Sequence, residues 1–85
     1  MPGMGPVSTD NAAMRRVPVR SSALRSVGYD PRTWALEVEF DSGEVYRYLD
    51  VPPEVVDGFI DARSKGTYLT TRIKPHYDVE HVVTA

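Results

Sequence analysis

The chain has 85 residues, no cysteine and a net charge of −2. A domain of that length buries only about two-thirds of the surface its unfolded chain exposes, which leaves little apolar material for a deep catalytic cavity. The composition excludes a disulfide framework and a thiolate metal site, and no apolar run approaches the ~18 residues of a membrane span.

Residues 1–20 read as a disordered leader. Prolines and glycines interrupt it, Ser8, Thr9, Asp10 and Asn11 add polarity, and its apolar residues have no period. The start Met1-Pro2-Gly3-Met4 has no apolar signal-peptide core. A cytoplasmic protein is expected.

The domain begins at Ser21 and runs to Tyr77. Ala23 to Tyr29 forms a first strand, and Asp30-Pro31-Arg32 a turn in which proline fixes φ. Thr33 to Phe40 alternates cleanly. Trp34, Leu36, Val38 and Phe40 share one face, and Ala35, Glu37 and Glu39 the other. The first set should be buried and the second wet, as in an antiparallel sheet. Asp41-Ser42-Gly43 makes a hairpin turn, with glycine supplying positive φ. Glu44 to Asp50 is a third strand carrying apolar bulk on both faces, so a central position is expected for it.

The period then changes. Pro52-Pro53 ends the sheet pattern and suits a first helical turn. Val55, Val56, Phe59, Ile60 and Arg63 follow at helical spacing, with Glu54 and Asp57 placed to complement the helix dipole. Ser64-Lys65-Gly66 should end this helix. Thr67 to Ile73 reads as a short second helix capped by Thr67, and Pro75 bars its continuation. Residues 78–85 read as a frayed tail. The fold class is therefore α+β: a three-stranded antiparallel β-meander packed against one α-helix, followed by a short second helix or turn.

Catalytic constellations are scarce. His76 and His81 have no third ligand nearby, so no metal site is expected. Glu37 and Glu39 share a strand face and read as solubilising charges rather than an acid/base pair. Ser21-Ser22 has no adjacent base and reads as the start of the first strand. No phosphate-binding glycine loop is present, and no cofactor or small-molecule substrate is expected.

Charge is segregated along the chain. Residues 22–62 hold nine carboxylates against three arginines, whereas residues 63–77 carry Arg63, Lys65, Arg72 and Lys74 without an acid. Screening limits the reach of distant charge to about 10 Å, so a basic segment can bind phosphate on an acidic protein. With Tyr68 and Tyr77 interleaved, these cations form a candidate nucleic-acid surface, the alternative being a solvated basic face. Tyr46 and Tyr48 could stack bases on a sheet face or, as favoured in so small a domain, fill the core.

Ser21-Ser22, Val27-Gly28-Tyr29-Asp30, Leu36-x-Val38-x-Phe40, Gly43, Val45-Tyr46-x-Tyr48, Val51-Pro52, Ala62-x-Ser64-Lys65-Gly66, Tyr68 and Ile73 together closely resemble the KTSC domain. That family is named for its occurrence at the C-terminus of some lysyl-tRNA synthetases, and it also occurs as a free-standing small bacterial protein. The resemblance spans about residues 18 to 77. Leu69-Thr70 stands where members usually have Phe-Asn, so any role of that asparagine is not carried over. The resemblance implies no established activity; attachment to a tRNA ligase implies RNA as a partner. The expectation is a small non-catalytic module that binds RNA through Arg63, Lys65, Arg72 and Lys74 for phosphates and Tyr68 and Tyr77 for stacking. The alternative is a protein-interaction or structural accessory domain using a sheet face or edge.

Overall fold

The structure, a computed structural model, describes residues 16–83. The disorder expected of residues 1–15 lies outside the described residues. Five strands form one antiparallel sheet: β1 (Val17–Pro18), β2 (Leu24–Asp30), β3 (Ala35–Phe40), β4 (Val45–Tyr48) and β5 (Val79–Val82), in the order β1-β2-β3-β4-β5. Between β4 and β5 the chain forms α1 (Pro53–Asp61), then α2 (Lys65–Tyr68), which runs directly into a π-helical turn at Leu69–Ile73. The three-stranded meander is thus the centre of a wider sheet. Its two outer strands come from the leader and from the tail expected to fray.

The core lies between one sheet face and the helices. It joins Leu24, Val27, Leu36, Val38 and Tyr48 of the sheet to Val51, Val56, Phe59, Leu69 and Ile73. Leu24 reaches that face because of a β-bulge. Leu24 pairs with Phe40 and Ser26 with Glu39, so Arg25 is the extra residue and points to solvent. Without the bulge, the alternation that buries Val27 would turn Leu24 outward.

Trp34 is not the core anchor its alternation suggested. Its N–H donates to the Asp30 carbonyl at 2.8 Å, which holds it in the turn with φ +61° and leaves it 42% exposed. The strand begins one residue later. Leu36 and Val38 are buried as expected, and Phe40 packs partly against the core.

In α1, Pro52 stands at the N-cap position and Pro53 in the first turn, where a missing N–H costs nothing. Val56 and Phe59 face the core, whereas Ile60 is exposed. The cap of α2 is Ser64 rather than Thr67: its Oγ accepts the Thr67 N–H at 3.3 Å and donates to Thr67 Oγ1 at 3.0 Å. Gly66 is helical rather than a stop signal. A Cβ there would lie 3.3 Å from that of Ala23, so glycine lets α2 sit close against the start of β2.

The opposite sheet face corrects another expectation. Glu37, assigned to the wet side, is completely buried. It accepts hydrogen bonds from Arg16 and, at 2.9 Å, from Arg47, whose Nη1 also lies 3.6 Å from Glu80. In the ladder Gly28 is opposite Glu37 and Val17 opposite Val27, so Arg16 falls beside Gly28. Having no side chain, Gly28 leaves a path for the Arg16 guanidinium across β2 to the carboxylate.

Candidate nucleic-acid interface

The clearest convergence of cationic groups is where the start of β2 meets the junction of α1 and α2. Arg20, Ser21, Ser22 and Ala23 wall one side of an open cavity of about 430 Å³, and Arg63, Ser64, Lys65, Gly66, Thr67 and Thr70 the other. Local structure explains the positions. Ser21 Oγ accepts the N–H groups of Ala23 and Leu24 at 3.1 and 3.3 Å, fixing the entry to β2. Ser64 caps α2, so Thr67 and Thr70 follow at helical spacing on the same side as Ser64. Lys65 donates to the Ala62 carbonyl at 3.3 Å, which holds its stem against the α1 terminus. Arg20 and Arg63 are exposed. Among the described residues lining this cavity there are three cations, five hydroxyls and no carboxylate. Such a lining offers an anion both charge and hydrogen-bond donors.

The six residues singled out from sequence do not form one surface. Arg63 and Lys65 belong to this cavity. Arg72 is exposed on the π-helical turn. Lys74 follows that turn, with Nζ 5.6 Å from the centroid of the Phe40 ring. Tyr68 packs its ring beside Phe59 and donates its hydroxyl to the Val55 carbonyl at 3.1 Å; it holds α2 to α1 instead of standing free for a base. Tyr77 is half-buried against the core. Arg20, Ser21, Ser22, Thr67 and Thr70 were missed. Arg20 falls within the segment whose composition reads as a leader, and the serines have a sufficient backbone role at the start of a strand and between helices. Serines some forty residues apart, Ser21 and Ser22 against Ser64, carry no sequence signal that they share a cavity.

A second opening, of about 560 Å³, is lined by Phe40, Ser42, Glu44, Tyr46, Tyr48, Lys74 and Val79. Tyr46 meets Phe40 edge-on, with centroids 5.6 Å apart, and stacks on His81 at 4.8 Å. Its hydroxyl donates to Glu44 Oε1 at 3.2 Å, and this bond, with desolvation and the carboxylate charge, raises the Tyr46 pKa. Burial chiefly raises that of Tyr48, which is only 2% exposed and belongs to the core. Both tyrosines of the Tyr-x-Tyr pair line the groove, Tyr48 as part of the buried core and Tyr46 packed partly against it.

Among the described residues no group of three His, Asp or Glu is placed to hold a metal ion, and no helix is long and apolar enough to cross a membrane.

The five-stranded sheet backed by two helices makes this a small α+β domain, and comparison with known proteins gives its family. The KTSC domain model matches residues 20–77, and the chain belongs to that family. A KTSC domain protein from Yersinia pestis has a similar solved structure, with a TM-score of 0.79 at 37% identity over 82% of this chain and 99% of that one. An uncharacterised protein of Stutzerimonas stutzeri is 54% identical over 65 residues, covering 75% of this chain and 92% of its own length. A lysine–tRNA ligase of Nostoc punctiforme is 36% identical over 80 residues, which are 87% of this chain but 14% of the ligase.

Proposed function

We propose that this KTSC domain is a small non-catalytic module that binds single-stranded RNA, with the backbone phosphates seated in the cavity between Arg20, Arg63 and Lys65. The observation that carries the reading is the lining of that cavity, where cations and hydroxyls meet without a carboxylate on a chain of net charge −2. The ligase relatives add support, since their name assigns them a tRNA substrate. The reading places the protein in the cytoplasm. Arg72 and Lys74 extend the basic surface along the chain, while Tyr68 and Tyr77 serve the fold.

Phosphate contacts release condensed counterions, so affinity should fall with salt. For a single strand held by three cations the log–log slope is about −2, and a fourfold rise in salt weakens binding roughly 20-fold. Fluorescence anisotropy of labelled single-stranded RNA at graded salt measures this. Arg20→Gln and Arg63→Gln should each flatten the slope by about 0.7 and weaken all sequences alike, because phosphates carry no sequence information. No binding at high micromolar protein contradicts the proposal. A second reading, a protein-interaction domain, is favoured by one feature: β5 is a sheet edge with Val79 49% exposed. It predicts a partner whose affinity is insensitive to salt.

A further inference from the structure

We propose that the groove between Phe40, Tyr46 and Lys74 accepts an unpaired base of the bound strand, and that Glu44 selects bases presenting an amino group. This inference rests on the RNA reading above. It starts from the position of the groove. Asp41 donates its N–H to the Ala23 carbonyl at 2.9 Å, so the end of β3 that walls the groove is bonded to the start of β2 that walls the cationic cavity. Thr70 and Lys74 lie four residues apart on one helical segment, the first lining the cavity and the second the groove. A strand whose phosphates occupy the cavity thus has a neighbouring opening for a base.

The lining differs from that of the cavity in the way a base requires. Phe40, Tyr46 and Val79 supply apolar walls, and the polar groups are few. A volume of about 560 Å³ is within the range of small-ligand sites. A carboxylate repels phosphate, so Glu44 does not belong to a second backbone site. It is suited to accept from an exocyclic amine, as acidic side chains do from cytosine N4. The groove holds that carboxylate in place, since Tyr46 Oη and His81 Nε2 both lie 3.2 Å from its Oε1. Among the described residues no bond is made to Oε2, which is left to accept from the base. Lys74 stands over Phe40 at the rim, where its ammonium can meet the adjoining phosphate.

Cytosine and uracil have the same size and differ at C4, amino in one and oxo in the other. Labelled ten-residue oligocytidylate and oligouridylate therefore isolate the Glu44 contact from the backbone contacts. The full chain should bind oligocytidylate at least about fivefold tighter, the lower bound for one good base contact. Glu44→Gln should close that gap, because an amide can donate to the uracil oxygen as well as accept. Glu44 is about half exposed, so the variant should melt with the wild type, and a matching melting temperature confirms that the fold is kept. Equal affinity for both oligomers, or a preference that Glu44→Gln leaves intact, overturns the inference and assigns the groove to another occupant, while the phosphate reading stands. Failure of both oligomers to bind at low salt overturns both.

Discussion

Glu37 is fully buried between Arg16 and Arg47 on the sheet face turned away from the helices. A carboxylate taken out of water is tolerated there because two guanidiniums supply charge and directed donors. Removing Glu37 takes the shared counter-charge from two part-buried guanidiniums, of which Arg47 keeps Glu80 nearby. Glu37→Ala should therefore cost on the order of 3–5 kcal/mol in urea unfolding, and a loss below about 1 kcal/mol would show that the network carries little of the stability. Gly58 is a second sensitive position. A Cβ there would collide with the Tyr68 hydroxyl, which the Val55 carbonyl anchors. Gly58→Ala should destabilise by about 1–3 kcal/mol through overpacking, and Tyr68→Phe by about 1 kcal/mol through the lost bond. If Tyr68→Phe weakened RNA binding without lowering the melting temperature, the hydroxyl would belong to the interface rather than to the fold.

At the level of elements, the sequence signals were strongest where a segment's own pattern decides its fate. Leu36 and Val38 alternate in a run with clear ends, and α1 has proline at its start and helical spacing after it. β1 and β5 carry no such signal. Val17–Pro18 is two residues long, and Val79–Val82 is exposed along most of its length; each is a strand because a neighbour offers a ladder. The rule that polar means wet failed at Glu37 because alternation cannot reveal two arginines arriving from β4 and from beside β1. The same limit hid the cationic cavity, whose walls are some forty residues apart in the chain. Truncation tests the role of β5. Deleting Val79 to Ala85 unpairs Val45, Tyr46, Arg47 and Tyr48 and should lower the melting temperature by more than about 5 °C. An unchanged transition would mean that β5 is held by the sheet without supporting it. Deleting the chain through Arg16 should also lower the melting temperature, since it removes a partner of Glu37.

At the scale of the whole molecule, charge and pH make two further commitments. Tyr29, Tyr46 and Tyr48 all have pKa values raised above the ordinary 10.0. Desolvation leads for Tyr29 and Tyr48, and the hydrogen bond to Glu44 for Tyr46. Folding thus favours the neutral phenol. Below pH 10 both states keep their protons and stability is unaffected; above it the unfolded chain loses protons first, and stability falls as pH rises toward the folded-state values. The urea midpoint should accordingly be level from neutral pH to about pH 9.5 and decline beyond pH 10. A midpoint that rises there would contradict the assigned environments.

The acidic middle of the chain and the cationic cavity make a second pattern, in which an approaching polyanion is repelled by most of the surface and received at one place. Amide shifts of the labelled protein titrated with single-stranded RNA at low salt test this most directly. The account predicts perturbations that saturate at Arg20 to Ala23 and at Arg63 to Thr70, joined by Phe40, Glu44 and Tyr46 where a base enters the neighbouring groove, with Trp34 and the α1 residues Glu54 and Asp57 unmoved. Perturbations centred on β5 or Trp34, or none at all, would contradict it.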